Sequence, residues 1–219
     1  LEEAVDDETA AVIVEPIQGE GGINVPESGY LERVREITEA AGAAMIADEI
    51  QTGLGRTGEL WACERAGIVP DVVTTAKGLA NGLPMGATLC RDWIADDPGN
   101  HGGTFSGGPA VSAAANATID VIEEDDLAGR AADVGGYLVD RLRETLGDRV
   151  RGVRGAGLMV GVEVRRNANV VLRDLALDHG VLALPAGRTV VRFLPPLILD
   201  RDGADAIVDA TDAALGTDE

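Results

Sequence analysis

The sequence predicts an α/β protein: a mostly parallel sheet in its first half, then a smaller α+β domain. Two observations carry this. Short apolar runs at 10–14, 43–47 and 72–75 alternate with helical patterns, and strand, helix, strand at that spacing forms a unit with parallel strands. From about Val150 the pattern changes to shorter strands with helices between them. Taken in order, Ala10 to Val14 reads as a buried strand ended by Glu15-Pro16, and Ile17 to Gly22 as a polar, flexible loop. Ser28 is expected to cap a helix whose apolar face is Leu31, Val34, Ile37 and Ala41, stopped by Gly42. Ala43 to Ala47 is the next strand and ends in Asp48-Glu49. A helix from about Leu60 to Ala66 leads to the strand Val72 to Thr75, which delivers Lys77, and Ala87 to Cys90 is a further strand. Asp48 and Lys77 thus stand at the carboxyl ends of neighbouring parallel strands, the edge at which open α/β sheets bind ligands.

After His101 to Gly108, Pro109 opens an alanine-rich helix. A second helix carries Leu127, Ala131, Leu138, Leu142 and Leu146 on one face. Leu158 to Val164, Val181 to Leu184 and Val190 to Phe193 read as strands. Val170 to His179, closed by Gly180, and Ala204 to Leu215 read as helices. The expected organisation is 1–108 as part of a large α/β domain, 109–149 as connecting helices and 150–219 as a small α+β domain.

Composition narrows the function classes. The 219 residues carry 38 acidic and 18 basic side chains, a net charge of −20. A field of that sign repels nucleic acid and anionic membranes, so neither is expected as a partner. An acid-rich, nearly lysine-free chain suggests a cytoplasm of high salt, where screening relieves self-repulsion. Cys63 and Cys90 lack metal-ligand spacing with His101 or His179 and read as buried thiols, so no metal is expected. No run approaches the ~20 apolar residues of a membrane span, and no signal peptide is read, so a cytoplasmic location is expected. Leu1 falls inside what reads as an acidic helical end, and a longer protein is expected.

Lys77 is the only lysine; the other 17 basic residues are arginines. Lysine differs from arginine in that its amine can be neutral and attack carbonyls, and the glycines at 78, 82 and 86 let backbone approach whatever it holds. A surface lysine at a strand-to-loop junction is the plain alternative. Gly53-Leu54-Gly55-Arg56-Thr57-Gly58 matches the dinucleotide fingerprint. Its context argues against that use, because Asp48 to Thr52 separates it from its strand and the acid that should close the next strand is absent. Asp48 is either a solvated strand end or the carboxylate that keeps a cationic ring nitrogen protonated, and Gln51 could hydrogen-bond a ring hydroxyl. Arg192, a charge within Val190 to Phe193, is either an outward arginine on an edge strand or a fork for a carboxylate. Glu20 is either a loop acid in water or the anion that pairs with Arg192 when no carboxylate is bound.

Together, Glu15 to Gly22, Ala47 to Gly58, Thr75 to Gly78, Gly103-Thr104-Phe105 and Val191 to Pro196 resemble the class III aminotransferases, pyridoxal-phosphate enzymes of fold type I, in the family's order. The resemblance implies that Lys77 holds the cofactor as a Schiff base, Asp48 pairs with its ring nitrogen and Gln51 meets its ring oxygen. It implies that Thr104 reaches the cofactor phosphate of a neighbouring subunit, hence a homodimer. Glu20 and Arg192 look like the gate of the omega-amino branch: the acid covers the arginine while a donor with a distal amine is bound, and frees it for 2-oxoglutarate. The family's phosphate-binding turn, ring-stacking aromatic and donor-carboxylate arginine are not matched in the sequence.

Overall fold

Val12, Val14 and Met45 share one face of two strands and close on Leu31 and Val34 of a helix, but Ile13 between them is 64% exposed, so the strand expected to be buried at 10–14 is covered on one face alone. The computed structural model describes residues 1–95, 103–104 and 106–216, and these group into two units. The first comprises Leu1–Pro16, Pro26–Leu54 and Glu59–Asp126, the second Ile17–Val25, Gly55–Gly58 and Leu127–Glu219.

In the first unit, β1 (Ala11–Val14), β2 (Ala44–Asp48), β3 (Val72–Thr75) and β4 (Ala87–Cys90) lie side by side in that order. β1, β2 and β3 are parallel, with Val14 opposite Ala47 and Asp48 opposite Thr74, whereas β4 runs antiparallel to β3. The helix α1 (Tyr30–Ala41) crosses from β1 to β2 and ends at Gly42, whose φ of 70° needs no side chain. Three expectations change here. The N-cap is Gly29, at φ 90° and with no side-chain cap, so Ser28 lies one position too early. The helix expected at 60–66 is a 3-10 turn, Ala62–Ala66, because Gly67 stops it at φ 62° and the Cys63 N–H is captured by the Glu49 carboxylate. Leu1 to Thr9 forms turns rather than a helix end. Cys63 is buried, but Cys90, on the outermost strand, is exposed. α2 (Pro109–Glu124) begins with proline in its first turn, as the sequence suggests.

In the second unit, β5 (Val150–Ala156), β6 (Met159–Val164), β8 (Val190–Phe193) and β7 (Leu184–Ala186) form an antiparallel sheet in that order. α3 (Leu127–Leu146), α4 (Ala168–Asp178) and α5 (Arg201–Leu215) cover one face, closing on Val153, Val160, Val162, Val164, Val191 and Phe193. Each helix α4 and α5 starts two or three residues before its apolar pattern does, where Asn167 accepts from the Asn169 N–H and Asp200 from the Gly203 N–H. β7 begins at Leu184, not Val181, because the Val181 N–H is committed to the Leu175 carbonyl at the end of α4. β5 was not expected at all: its Val-Arg-Gly-Val-Arg-Gly-Ala run hides the strand alternation behind glycines.

Candidate functional site

The first unit presents Asp48 and Lys77 at one sheet edge. Asp48 closes β2 opposite Thr74, and Lys77 follows β3 by two residues, opening the 3-10 turn Lys77–Ala80. Leu79 and Ala80 are buried and anchor that turn, while Lys77 is exposed. Its backbone has φ 44°, a left-handed conformation that costs a side-chain-bearing residue about 1–3 kcal/mol and clusters at functional sites. Among the described residues its amine makes no hydrogen bond or ion pair.

Asp48 and Glu49 part ways. Asp48 is half-buried and its Oδ1 accepts from the Ile50 N–H at 3.1 Å and the Thr74 hydroxyl at 3.3 Å. Among the described residues Oδ2 receives no hydrogen bond, so one oxygen of a fixed carboxylate remains an acceptor. Glu49 is 1% exposed and accepts from the Thr52 hydroxyl and, at 2.8 Å, from the Cys63 N–H. It braces the turn after β2, and burial together with its charge pushes the Cys63 thiol up to about 12. Gln51 lies half-buried in that same turn. Thr75, buried at the end of β3, carries a hydroxyl that finds no partner among the described residues.

The Gly53–Gly58 segment has structural reasons for its glycines. A Cβ at Gly53 would stand 2.8 Å from the Trp61 ring, within the first unit. In the second, Gly58 sits at φ 101° where a Cβ would be 3.0 Å from Ala132, and Arg56 donates to the Leu158 carbonyl at 3.2 Å and the Pro195 carbonyl at 2.5 Å. Burial lowers Arg56 to about 10, which leaves it cationic at neutral pH.

The second unit holds Glu20 and Arg192. Arg192 stands on the sheet face away from the helices, its side chain only 5% exposed, and its Nη1 lies 2.7 Å from Oε1 of Glu20, which is 70% exposed. A buried guanidinium paired with an acid that is mostly in water can exchange that acid for another carboxylate, since the acid loses little on returning to solvent. The loop bearing Glu20 is held at both ends, by a Gln18–Asn24 bridge and by Ile17 and Ile23 packed on Ala156 and Met159. Movement of Glu20 is therefore confined to the Gly19–Gly22 tip and its own side chain, a narrower freedom than the sequence suggested. Arg154, which grips this loop, and Glu163, which holds Arg154, were missed, although the alternation of β6 puts Glu163 and Gly161 on the face opposite Val160, Val162 and Val164.

Thr104 is exposed in a turn. His101, Gly102 and Phe105 of the stretch around it lie outside the described residues. Among the described residues no group of three or more metal-ligating side chains is placed to hold an ion, and no helix is long and apolar enough to cross a membrane.

A family model described as Aminotransferase class-III matches residues 1–215. The acetylornithine aminotransferase of Methanosarcina mazei is 42% identical over 214 residues, which are 98% of this chain and 54% of that protein. A [LysW]-aminoadipate semialdehyde transaminase of Deinococcus radiodurans is also 42% identical, over 98% of this chain and 51% of its own length. Among solved structures, the ornithine aminotransferase of Toxoplasma gondii, described with partial occupancy of pyridoxal phosphate, superposes with a TM-score of 0.93 at 38% identity, covering 98% of this chain and 52% of that one. The chain spans about half the length of the curated relatives it matches.

Proposed function

The chain belongs to the class III aminotransferases, and from that premise we propose that it is part of an enzyme moving the terminal amino group of an acetylornithine-like donor to 2-oxoglutarate. The observation that carries the proposal is Arg192, a buried fork for a carboxylate already held by an exchangeable acid. Class III aminotransferases depend on pyridoxal 5′-phosphate. The residues present fit that group: among the described residues Asp48 Oδ2 has no donor and can accept from a protonated ring nitrogen, and Lys77 offers an uncommitted amine two residues after a Thr75 hydroxyl that also has no partner there. When bound, the cofactor supplies the aldehyde that takes up the donor's amine and the ring that draws off electrons.

The chain's own groups then have separate tasks. Lys77 Nζ would hold the cofactor and, once released by the incoming donor, would serve as the base that takes the proton from the carbon bearing the donor's terminal amine. Asp48 would keep a proton on the ring nitrogen, and Gln51 would hydrogen-bond the ring oxygen. Arg192 receives the α-carboxylate of 2-oxoglutarate, beside the reacting carbon, once Glu20 withdraws, and Glu20 covers it while the donor is bound. Thr104 reaches the cofactor phosphate of the neighbouring subunit, so the working form is a homodimer. The acidic composition suits a cytoplasm of high salt; thermal midpoints that fall as potassium chloride is raised would count against that.

The second reading is a carrier-bound donor, favoured by the equal identity to the [LysW]-aminoadipate semialdehyde transaminase. Comparing kcat/KM for acetylornithine, ornithine, 4-aminobutyrate and a carrier-linked donor in the full-length protein separates the two. Borohydride reduction and peptide mapping should put the pyridoxyl label on Lys77, and Lys77→Ala should abolish turnover. A label on any other residue overturns the assignment.

A further inference from the structure

On the open face of the second unit's sheet, Arg154, Gly161, Arg192 and Leu184 form one line across β5, β6, β8 and β7, each the register partner of the next. Residues directly opposite in antiparallel pairs share a face, so the two arginines flank a glycine. Ile23 lies over that glycine: a Cβ at Gly161 would stand 2.9 Å from Ile23 Cβ and 3.0 Å from its Cγ1. Beside it, Arg154 Nε donates to the Gly22 and Ile23 carbonyls, each at 3.0 Å, and Nη2 donates to Gly22 at 2.7 Å. Its Nη1 donates to Glu163 Oε2 at 2.7 Å.

Two successive carbonyls face one guanidinium because Gly22 and Ile23 both have positive φ, 124° and 53°. A β-branched residue avoids that conformation and keeps it only where its surroundings over-determine it. Here the surroundings are the Arg154 clamp and the complete burial of Ile23. Glu20 sits two residues before the clamped pair, and its carboxylate is mostly in water apart from its contact with Arg192.

We infer that Arg154 is a positioning residue for Glu20: by clamping the Gly22 and Ile23 carbonyls it sets how often the Glu20 carboxylate occupies Arg192, and so sets the affinity for a dicarboxylic acceptor. This rests on the reading that Glu20 and 2-oxoglutarate alternate on Arg192. Arg154 is not itself a carboxylate receptor, since its donors are committed to two carbonyls and Glu163. The apparent affinity of a ligand falls with the fraction of protein whose site is open, so loosening the clamp tightens the dicarboxylate. A residue with a merely structural role would weaken it.

The test is the dissociation constant of glutarate, a dicarboxylate that cannot react, measured by calorimetry on the full-length, cofactor-loaded protein. Arg154→Lys keeps the charge but cannot grip two carbonyls and Glu163 as a planar fork does. It should tighten glutarate about fivefold, equivalent to about 1 kcal/mol. Glu20→Gln should tighten it at least as much, and the double variant should match Glu20→Gln alone. If Glu20→Gln tightens glutarate but Arg154→Lys leaves it unchanged or weaker, the clamp is structural and the inference falls while the gate stands. Additive effects in the double variant also overturn it, since Arg154 would then act without Glu20. If Glu20→Gln itself fails to tighten glutarate, the gate reading falls and the inference with it. Should Arg154→Lys not fold, Gly161→Ala, which displaces Ile23, must give the same tightening and the same dependence on Glu20.

Discussion

Arg192 and Glu20 are unequal partners, and the inequality sets what each substitution does. Arg192 is buried and Glu20 is mostly in water. Removing Arg192 should cost the 2-oxoglutarate half-reaction roughly 2–5 kcal/mol, the usual loss when one partner of a buried charge pair is deleted, and should spare the donor half-reaction. Removing Glu20 leaves the arginine open in both half-reactions, so donors with an α-carboxylate should begin to bind reversed and react through the α-amine. Single-turnover kinetics of each half-reaction in Arg192→Ala and Glu20→Ala proteins reads both effects. Equal losses in the two half-reactions for Arg192→Ala would make the arginine a structural residue.

Among the elements, the βαβ unit that carries Asp48 and Lys77 depends on a buried acid outside the site. Asp71, at the foot of β3, accepts from the Met45 N–H at 2.9 Å and pairs with Arg35 of α1 and, at 3.3 Å, with Arg91. It ties the helix, β2 and β3 into one register. Burial pushes its carboxyl up, but the Arg35 hydrogen bond, the Met45 N–H and the charges of both arginines outweigh that and hold it below the ordinary range. A depressed folded-state value contributes stability above the unfolded value and loses it as pH falls through the folded one. Asp71→Ala should therefore destabilise the first unit by about 3 kcal/mol, the low end for a broken buried pair because Arg91 is half exposed. The deficit should shrink below about pH 4, where the carboxyl of the unfolded chain is protonated. Both tryptophans, Trp61 and Trp93, lie in the first unit, so fluorescence-monitored urea unfolding reports on it directly. A deficit independent of pH would show that Asp71 acts through packing rather than charge.

In the whole assembly, the proposed reach of Thr104 into a partner's site has a signature that no single-chain role reproduces. Lys77→Ala and Thr104→Val homodimers should each be impaired. Mixed dimers should recover activity, because one of their two sites then combines an intact Lys77 with the partner subunit's intact hydroxyl. Subunit exchange followed by activity assay measures this. A mixture no more active than the separate variants would place the hydroxyl in its own subunit's site, or in none.

Much of this protein was legible from local pattern. Short apolar and β-branched runs located β3, β4 and β8 to the residue, and with them the carboxyl-end placement of Asp48 and Lys77, because strand composition and a parallel crossover are properties of neighbouring residues. The lone lysine was visible by counting. What the sequence left open depends on partners outside a local window, from 14 residues apart for Glu49 and Cys63 to 132 for Gly22 and Arg154. Glu49 and Asp48 are adjacent acids, yet one is buried against Cys63 while the other keeps an oxygen without a donor among the described residues, and their unequal burial follows from how the 3-10 turn folds back. The Ile17 to Gly22 loop looked like a flexible connection in the first domain. It joins the second unit because Gly161, opposite Arg192 in the ladder, leaves room for Ile23, and because Arg154, some 130 positions on, reaches its carbonyls. Strand order and register are long-range choices, made by burial of whole faces, and no local window of sequence contains them.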